Sequence, residues 1–525
     1  MNTPIPYRRF KEAIILLTVG GWFAFKGIIL SDEYLYVEQA RALAHGSFQL
    51  SPSAFSNRFG LLAPMAFFIH WLGDYPMVYV IWPFISLLLL VGVSFKILPK
   101  SWNWIFAFLL ITNPVILNYS VDVSHDWVMT SFQTIAILLL FWLWQKGDIQ
   151  SGFLQALTIV GCLMLAFLAK VAVIFILPFL LWLAWKVWDQ EPLQNMGKQI
   201  ILLGLVMIFI YLGLYYWQTG DPFYRWNGIN GEHNISEWGY ANADTRRLFL
   251  RATIYPLAFF IKAPGVGWPI LLAGFIGIWN IRSEKTQEQQ FALAYFWILL
   301  GLFWWGSSSL SSYNPMVLVD RMWLPLIPAS YLVLCTYLNQ QDWWRSKRFY
   351  SFTILLFLIS AYAFFNIEDS FAASYQHVLI WVGLLVAVFY QNSEKSTMAL
   401  ILIGLQMGVS AKALMDQQPP PLLQEYEFVQ SVQNQQEPST IWADSLLIRM
   451  PGVHTNWNLP EQVELKVWDQ IEFPLDGSKR HYLMLNERRR GIMDNYYGRP
   501  LPEIPVDTTH LIEEKRLLIL ELLPN

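Results

Sequence analysis

Apolar runs of close to 20 residues recur along this chain, separated by short polar connections. A run of that length crosses the hydrocarbon of a bilayer as a helix. The pattern predicts spans over 11–30, 75–95, 102–118, 127–144, 152–169, 171–187, 199–217, 256–279, 291–306, 322–338, 349–366, 375–391 and 397–413. That makes about thirteen helices, with a shorter apolar piece at 60–73 that reads as re-entrant or interfacial. The first run reads as an uncleaved span, because no small-residue cleavage site follows it and Lys26 interrupts it.

Three segments break the pattern. Residues 31–59 form a first polar loop with a helical period over 32–45, where Tyr36, Ala40 and Leu43 share a face. Residues 218–255 form a second. Near 415 the Pro-rich linker DQQPPPLLQEYEFVQ begins, and 415–525 reads as a small soluble domain after a transmembrane domain at 1–414. Within it STIWAD, HYLMLNE and RLLILELL read as strands, which suggests an α/β module. No fixed-period or inverted repeat of the transporter kind is visible.

Composition agrees with a polytopic α-helical membrane protein: 14% of residues are charged, against about 25% in soluble domains. The net charge of -3 says nothing about nucleic acid, and no basic block suggests such a partner, so none is expected. Cys162 and Cys335 both fall inside apolar runs and read as small core residues. Lys and Arg in the short connections set orientation. With a cytoplasmic N-terminus, the inner connections hold Arg8, Arg9, Lys11, Lys96, Lys100, Lys146, Lys186, Lys198, Arg282, Lys285, Arg345, Lys347, Arg348 and Lys395. The short outer connections at 119–126 and 367–374 hold neither residue type. An odd number of spans puts the C-terminal domain outside.

On that topology the ionisable residues near membrane depth collect at the outer ends of spans: Asp32, Glu33 and Arg58; Asp122, His125 and Asp126; Lys170; Asp221, Tyr224 and Arg225; Asp320 and Arg321. Desolvating such groups is costly, so their one-sided grouping marks a functional cavity. Each also has a plainer explanation. Ser31 would cap a helix whose first turn suits Asp32 and Glu33; Asp126 would cap span four; Lys170, Arg58 and Arg321 would snorkel to the interface. The GxG of PGVGW at 264–268 follows no strand, which argues against a nucleotide loop.

At these residues the chain resembles the glycosyltransferases of the C superfamily (GT-C), the bacterial family 39-like enzymes, relatives of protein O-mannosyltransferases and lipid A aminoarabinose transferases. The resemblance is carried by SDEYLYVEQARALAHG, NRFGLLAPMAFFIHWLG, NPVILNYSVDVSHDWVMTSFQTIAILLL, LAFLAKVAVIFILP, TGDPFYRWN and DRMWLPLIPASYLVL, in the expected order over about residues 1–338. It implies a GT-C-like fold and an enzyme of the bacterial cytoplasmic (inner) membrane. Such an enzyme passes a sugar, with inversion, from a polyprenyl-phosphate-linked donor to an acceptor on the outer, periplasmic face. By the same resemblance Asp32 is the general base and Glu33 the second acid of its motif. Arg58, Lys170, Arg225 and Arg321 would hold the donor phosphate, and Asp122 or Asp126 would position the acceptor. Asp32, Asp126 and His125 could hold a divalent cation, Mg or Mn. The acceptor class (lipid, glycan or protein) stays open. RFGLLAPM stands where the aminoarabinose branch has a Pro-Pro-Leu element, and the large inserts of eukaryotic O-mannosyltransferases are absent.

Two other readings use the same features. A lipid-linked glycan flippase predicts charges at mid-membrane, broken helices and repeat symmetry. A surface-polysaccharide polymerase or ligase would centre on Arg225, His233, Arg246, Arg247 and Arg251 of the long outer loop.

Overall fold

The computed structural model describes the chain apart from residues 1–4, 29–31, 147–151, 233–239, 241–242, 282–283, 309–312, 339–346, 367–379, 385–394, 416–420, 436, 445–446, 449, 456, 458, 472–473, 487–507, 515–516 and 524–525. It divides into two compact units: Met1–Ala24, Gln49–Pro64 and Trp82–Met415 in the first, Phe25–Phe48, Met65–Ile81 and Asp416–Asn525 in the second. The helices in chain order begin with α1 (Ile5–Ala24), α2 (Asp32–Ala44), α3 (Phe59–Leu72), α4 (Pro76–Tyr79), α5 (Ile81–Ile97) and α6 (Asn103–Ile111). They continue with α7 (Pro114–Ser120), α8 (His125–Lys146), α9 (Phe153–Ala169), α10 (Leu177–Lys186), α11 (Glu191–Thr219) and α12 (Tyr224–Glu232). Then come α13 (Thr245–Thr253), α14 (Tyr255–Lys262), α15 (Pro264–Trp279), α16 (Gln287–Trp305), α17 (Leu326–Leu338) and α18 (Lys347–Asn366), followed by helices Lys395–Met415 and Pro421–Asn434.

The first unit is a helical membrane-protein fold. Among the described residues only α8 and α11 are single helices long and apolar enough to cross a bilayer, and α14 with α15 adds a third if counted as one broken span; shorter apolar helices make up most of the rest. Proline explains much of the difference from the continuous spans expected from the sequence. The expected span at 102–118 is two helices, because Pro114 cannot donate to the end of α6 and instead starts α7. Asn113 caps the new helix, its Oδ1 accepting from the N–H groups of Val115 and Ile116 at 3.0 and 3.1 Å. Its amide donates to Gly265 O and to the Tyr331 hydroxyl. Tyr331 in turn donates to Gln406, whose amide serves Leu109 O and Thr112 Oγ1. The carbonyls orphaned by the break are thus satisfied inside the core. The expected span 171–187 likewise opens with a 3-10 segment, Val171–Ile176, before α10 with Pro178 in its first turn. The second glycine of the GxG packs backbone on backbone, since a Cβ on Gly267 would lie 1.6 Å from Phe260 O, while Gly265 faces the side chains of Val115 and Pro114. Most of the expected span at 375–391 lies outside the described residues.

At the centre of this unit α8 packs on α9, and α16 packs on α17. Phe141 and Phe179 meet Phe291 there edge to face, and Phe179 meets Tyr295 in the same way.

The second unit is built on a five-stranded mixed sheet in the order β2-β1-β3-β5-β4. Strands β1 (Ser439–Ala443), β2 (Val463–Val467) and β3 (Arg480–Asn486) run parallel, with Thr440 opposite both Glu464 and His481. Strands β4 (Thr508–Glu514) and β5 (Leu517–Leu522) complete it antiparallel, Leu483 facing Leu520. Central β1 is buried at every position, as a parallel strand covered on both faces must be. Trp442, Trp468, Leu475, Leu483 and Leu520 form the core on one side of the sheet. The three strands expected from the sequence are β1, β3 and β5. VELKV and TTHLIEE, which form β2 and β4, carry too many charges to stand out as strands. Helix α2, expected from the 32–45 period, also belongs to this unit.

Candidate functional site

Charged groups converge in the first unit at the start of α8. Its first turn carries Asp126, where the positive end of the helix dipole favours a carboxylate. Ser124 caps the helix, its Oγ accepting from the Trp127 N–H at 3.2 Å. Asp122, His125 and Asp126 are all buried. A buried carboxylate needs partners, and Asp126 has two: Oδ1 accepts from Lys170 Nζ, and Oδ2 lies 3.2 Å from His125 Nε2.

Lys170 sits where α9 gives way to the 3-10 segment, in an extended conformation (φ -154°, ψ 133°) that swings its side chain out of the helical path. Its Nζ also reaches Met322 Sδ at 2.9 Å. Met322 belongs to the 3-10 turn Asp320–Trp323, so the same turn brings Asp320 and Arg321 to this place.

Arg58 arrives from another direction. The loop before it is fixed by Asn57, whose amide donates to Ser51 O and Ser53 O while its Oδ1 accepts from the Tyr215 hydroxyl at 2.9 Å. The next turn, at Gly60, lies against the end of α9 so closely that a Cβ there would sit 2.4 Å from Ala169 N. Only glycine allows Arg58 to approach Lys170 in this way.

Arg225, in the first turn of α12, is 3% exposed. One terminal nitrogen donates to Leu168 O at 3.4 Å, and the guanidinium lies over the Phe167 ring with Tyr211 and Tyr215 beside it. Among the described residues its Nε and Nη1 have no hydrogen-bond partner. Gly228 lets α12 settle against the 51–57 loop, since a Cβ there would lie 2.0 Å from Pro52 O.

Arg58, Lys170, Arg321 and Arg225 all act electrostatically on His125. Asp320, Asp122 and Asp126 act in the same way on Tyr119, whose phenol is pushed up chiefly by burial. Burial also pushes the Asp320 carboxyl up to about 6. Four basic side chains thus stand against three carboxylates, one of which burial holds toward its neutral form, and the site has the charge to take an anion. Among the described residues no group of three or more His, Cys, Asp or Glu comes together to hold a metal ion. A cation on Asp126 would have to displace Lys170 or His125 from its oxygens.

Eight residues singled out from the sequence thus meet in this unit: Arg58, Asp122, His125, Asp126, Lys170, Arg225, Asp320 and Arg321. Asp32 and Glu33 occupy the first turn of α2 in the second unit, both partly buried. The proposed cap Ser31 lies outside the described residues, as does His233. Arg246 and Arg247 are exposed, whereas Arg251 is fully buried. Its guanidinium donates to the carbonyls of Met316, Trp304 and Phe303, which makes it a brace for the approach to the Asp320 turn. Tyr119, Met322, Asn57 and Gly60 were not legible as site residues. SNRFG and NYS contain three of them, but only the fold shows what each touches.

No protein-family model matches the sequence, and no curated protein does. The structure is similar to ArnT from Cupriavidus metallidurans bound to undecaprenyl phosphate, with a TM-score of 0.56, 11% identity, and 98% of this chain and 97% of that chain covered. It is similar to the apo state of the same protein with a TM-score of 0.57, 12% identity and the same coverage. At this identity the likeness is one of fold, and the fold this chain adopts is the GT-C-like fold of ArnT.

Proposed function

We propose that this chain is an integral-membrane glycosyltransferase of the bacterial inner membrane. It takes a sugar from a polyprenyl-phosphate-linked donor and passes it to an acceptor at the outer face, with the N-terminus cytoplasmic and the C-terminal sheet unit periplasmic. The observation that carries the reading is Arg225. A guanidinium this buried, with two nitrogens lacking hydrogen bonds among the described residues and three more cations nearby, is costly unless an anion completes it. A lipid-borne phosphate supplies that anion, and ArnT, which shares the fold, has been crystallised with undecaprenyl phosphate.

The chemistry follows from the charges. The acceptor oxygen or nitrogen attacks the anomeric carbon from the face opposite the phosphate, so the configuration inverts. As the new bond forms, the C1–O bond to phosphate breaks and its electron pair stays on the phosphate. That leaving group is already anionic and needs cations rather than a proton donor, and Arg58, Lys170, Arg225 and Arg321 fill this role. The acceptor proton goes to Asp32, the general base by resemblance to the family's acidic first loop, with Glu33 beside it. Asp126 holds Lys170 and His125 in place, and Asp122 serves acceptor positioning. No step is routed through a divalent cation.

The test is transfer from a panel of polyprenyl-phosphate sugars by purified enzyme. Wild type transfers at least one of them, and Asp32→Asn lowers kcat by about 100-fold or more, the scale of positioned base catalysis. Full activity in Asp32→Asn sinks the base assignment. No binding of any polyprenyl phosphate sinks the enzyme reading. The polymerase or ligase reading is weakened on separate ground, because Arg251 is taken up by backbone carbonyls.

A further inference from the structure

Within the second unit, one side of α2 is gripped by the loop that follows β1. Trp457 stacks on Tyr34, ring centroids 5.4 Å apart at 29°, and the Arg41 guanidinium lies 4.9 Å over the same indole. Its Nε1 reaches the Tyr79 hydroxyl at 3.5 Å. Arg41 also bonds Asp74 at 3.0 Å, and His45 meets the same carboxylate at 3.3 Å. At about 100° per residue, Tyr34, Arg41 and His45 share one face of α2, and Asp32 projects from roughly the opposite one.

Trp457 pays for this contact in backbone conformation: it is the one non-glycine residue with positive φ among the described residues, at 59°. A bulky side chain in the left-handed region is uncommon and persists where its surroundings hold it there. Gly452 lies against the face of the indole so tightly that a Cβ would come within 2.3 Å of it. The strained residue, the glycine that admits its ring and the side chains of Tyr34, Arg41 and, just past the end of α2, His45 form one clamp.

We propose that Trp457 is a positioning residue: it fixes the rotation of α2 about its axis and thereby the direction in which Asp32 presents its carboxylate. The proposal rests on the reading of Asp32 as the base. It gives the C-terminal unit a task, since the loop of a soluble sheet holds the first-loop helix that carries the acid.

The test uses the full-length protein in lipid nanodiscs. Trp457→Gly keeps the left-handed backbone and removes the ring; Trp457→Phe keeps an aromatic ring on the same backbone. Hydrogen exchange over 32–44 rises in Trp457→Gly while the strands stay protected, kcat falls about tenfold, and the donor KM stays within twofold. Trp457→Phe recovers most of both losses. Gly452→Ala, which pushes the ring aside without removing it, moves in the same direction as Trp457→Gly. Unchanged exchange over 32–44 in both Trp457→Gly and Gly452→Ala overturns the clamp. Raised exchange with unchanged kcat overturns the positioning role, and does so whether or not Asp32→Asn is active. If Asp32→Asn is fully active while Trp457→Gly loses kcat, the base reading fails and the clamp on α2 stands.

Discussion

Helices α8 and α11 look alike in sequence, both long, apolar and able to cross a bilayer, yet the fold uses them in opposite ways. Along the apolar stretch of α8, 89% of residues are buried; along that of α11 the share is 6%. The buried helix is the more polar of the two. Asp126, Thr130, Ser131, Gln133 and Thr134 lie within protein, each hydroxyl or amide finding a carbonyl, a serine or a tyrosine. The exposed helix offers Leu202, Phe209, Leu214 and Trp217 outward. An apolar surface of that length is stable in lipid and a liability in water. In this fold a polar stripe marks the helix at the centre, and uniform apolarity marks the one at the edge.

The sharpest way to break the comparison is at the head of α8. Breaking a buried ion pair by removing one partner costs about 3–5 kcal/mol, so Asp126→Asn, which strands Lys170, should lower the thermal midpoint strongly and abolish transfer. Asp126→Asn with Lys170→Met should recover part of the stability and none of the activity. Additive losses in the double variant, read by thermal unfolding, would mean that the two side chains are not coupled.

On α11 the expectation is reversed. A lysine at Phe209, which is 72% exposed, should cost about 2.5–3.5 kcal/mol if that position lies near the middle of the bilayer, while Phe209→Leu should be silent. Stability measured in nanodiscs decides it. A lysine tolerated as well as leucine would remove α11 from the lipid.

A smaller effect belongs to Arg225. Arg225→Ala should weaken donor binding by about tenfold or more, equivalent to about 1.4 kcal/mol, with Arg225→Lys intermediate because it keeps charge but loses the fork. Titration with a polyprenyl phosphate at two salt concentrations reads this directly, and unchanged affinity would detach Arg225 from the phosphate.

Much of this was legible beforehand, for physical reasons. The charge of Lys170 at the end of an apolar run and the acids of VDVSHDW are expensive at membrane depth, so their grouping with the other outer charges marked a candidate site. The strands rich in Ile, Leu and Tyr were visible, while β2 and β4, edge strands with one solvated side, were not. What escaped is contact between distant segments: Gly60 against Ala169, Met322 against Lys170, Trp457 against Tyr34. No local period encodes these. The break between α6 and α7 escaped for a different reason. Pro114 was in plain sight, but the carbonyls of Leu109 and Thr112 near the break are satisfied by Gln406 and Ser410, almost 300 residues away.

The smallest expected effect tests whether the site is as dry as its buried pair suggests. Asp320, on the turn before α17, titrates from about 6 in the folded protein, raised from an ordinary 3.8 by burial. Below pH 4 both folded and unfolded chains hold the proton, and the residue contributes nothing to the pH dependence. Between about 4 and 6 the unfolded chain releases it while the folded one keeps it, so stability falls as pH rises; above 6 the curve levels out. A fully buried group would lose about 1.4 kcal/mol per pH unit across that window, and Asp320, partly exposed, should lose a fraction of it. Thermal midpoints from pH 4 to 7 should therefore show a shallow decline that Asp320→Asn removes. An identical slope in Asp320→Asn would assign the decline to another carboxylate. A slope absent from both would mean that water reaches the Asp320 turn freely, and the dry centre of the unit would then begin deeper, at Asp126.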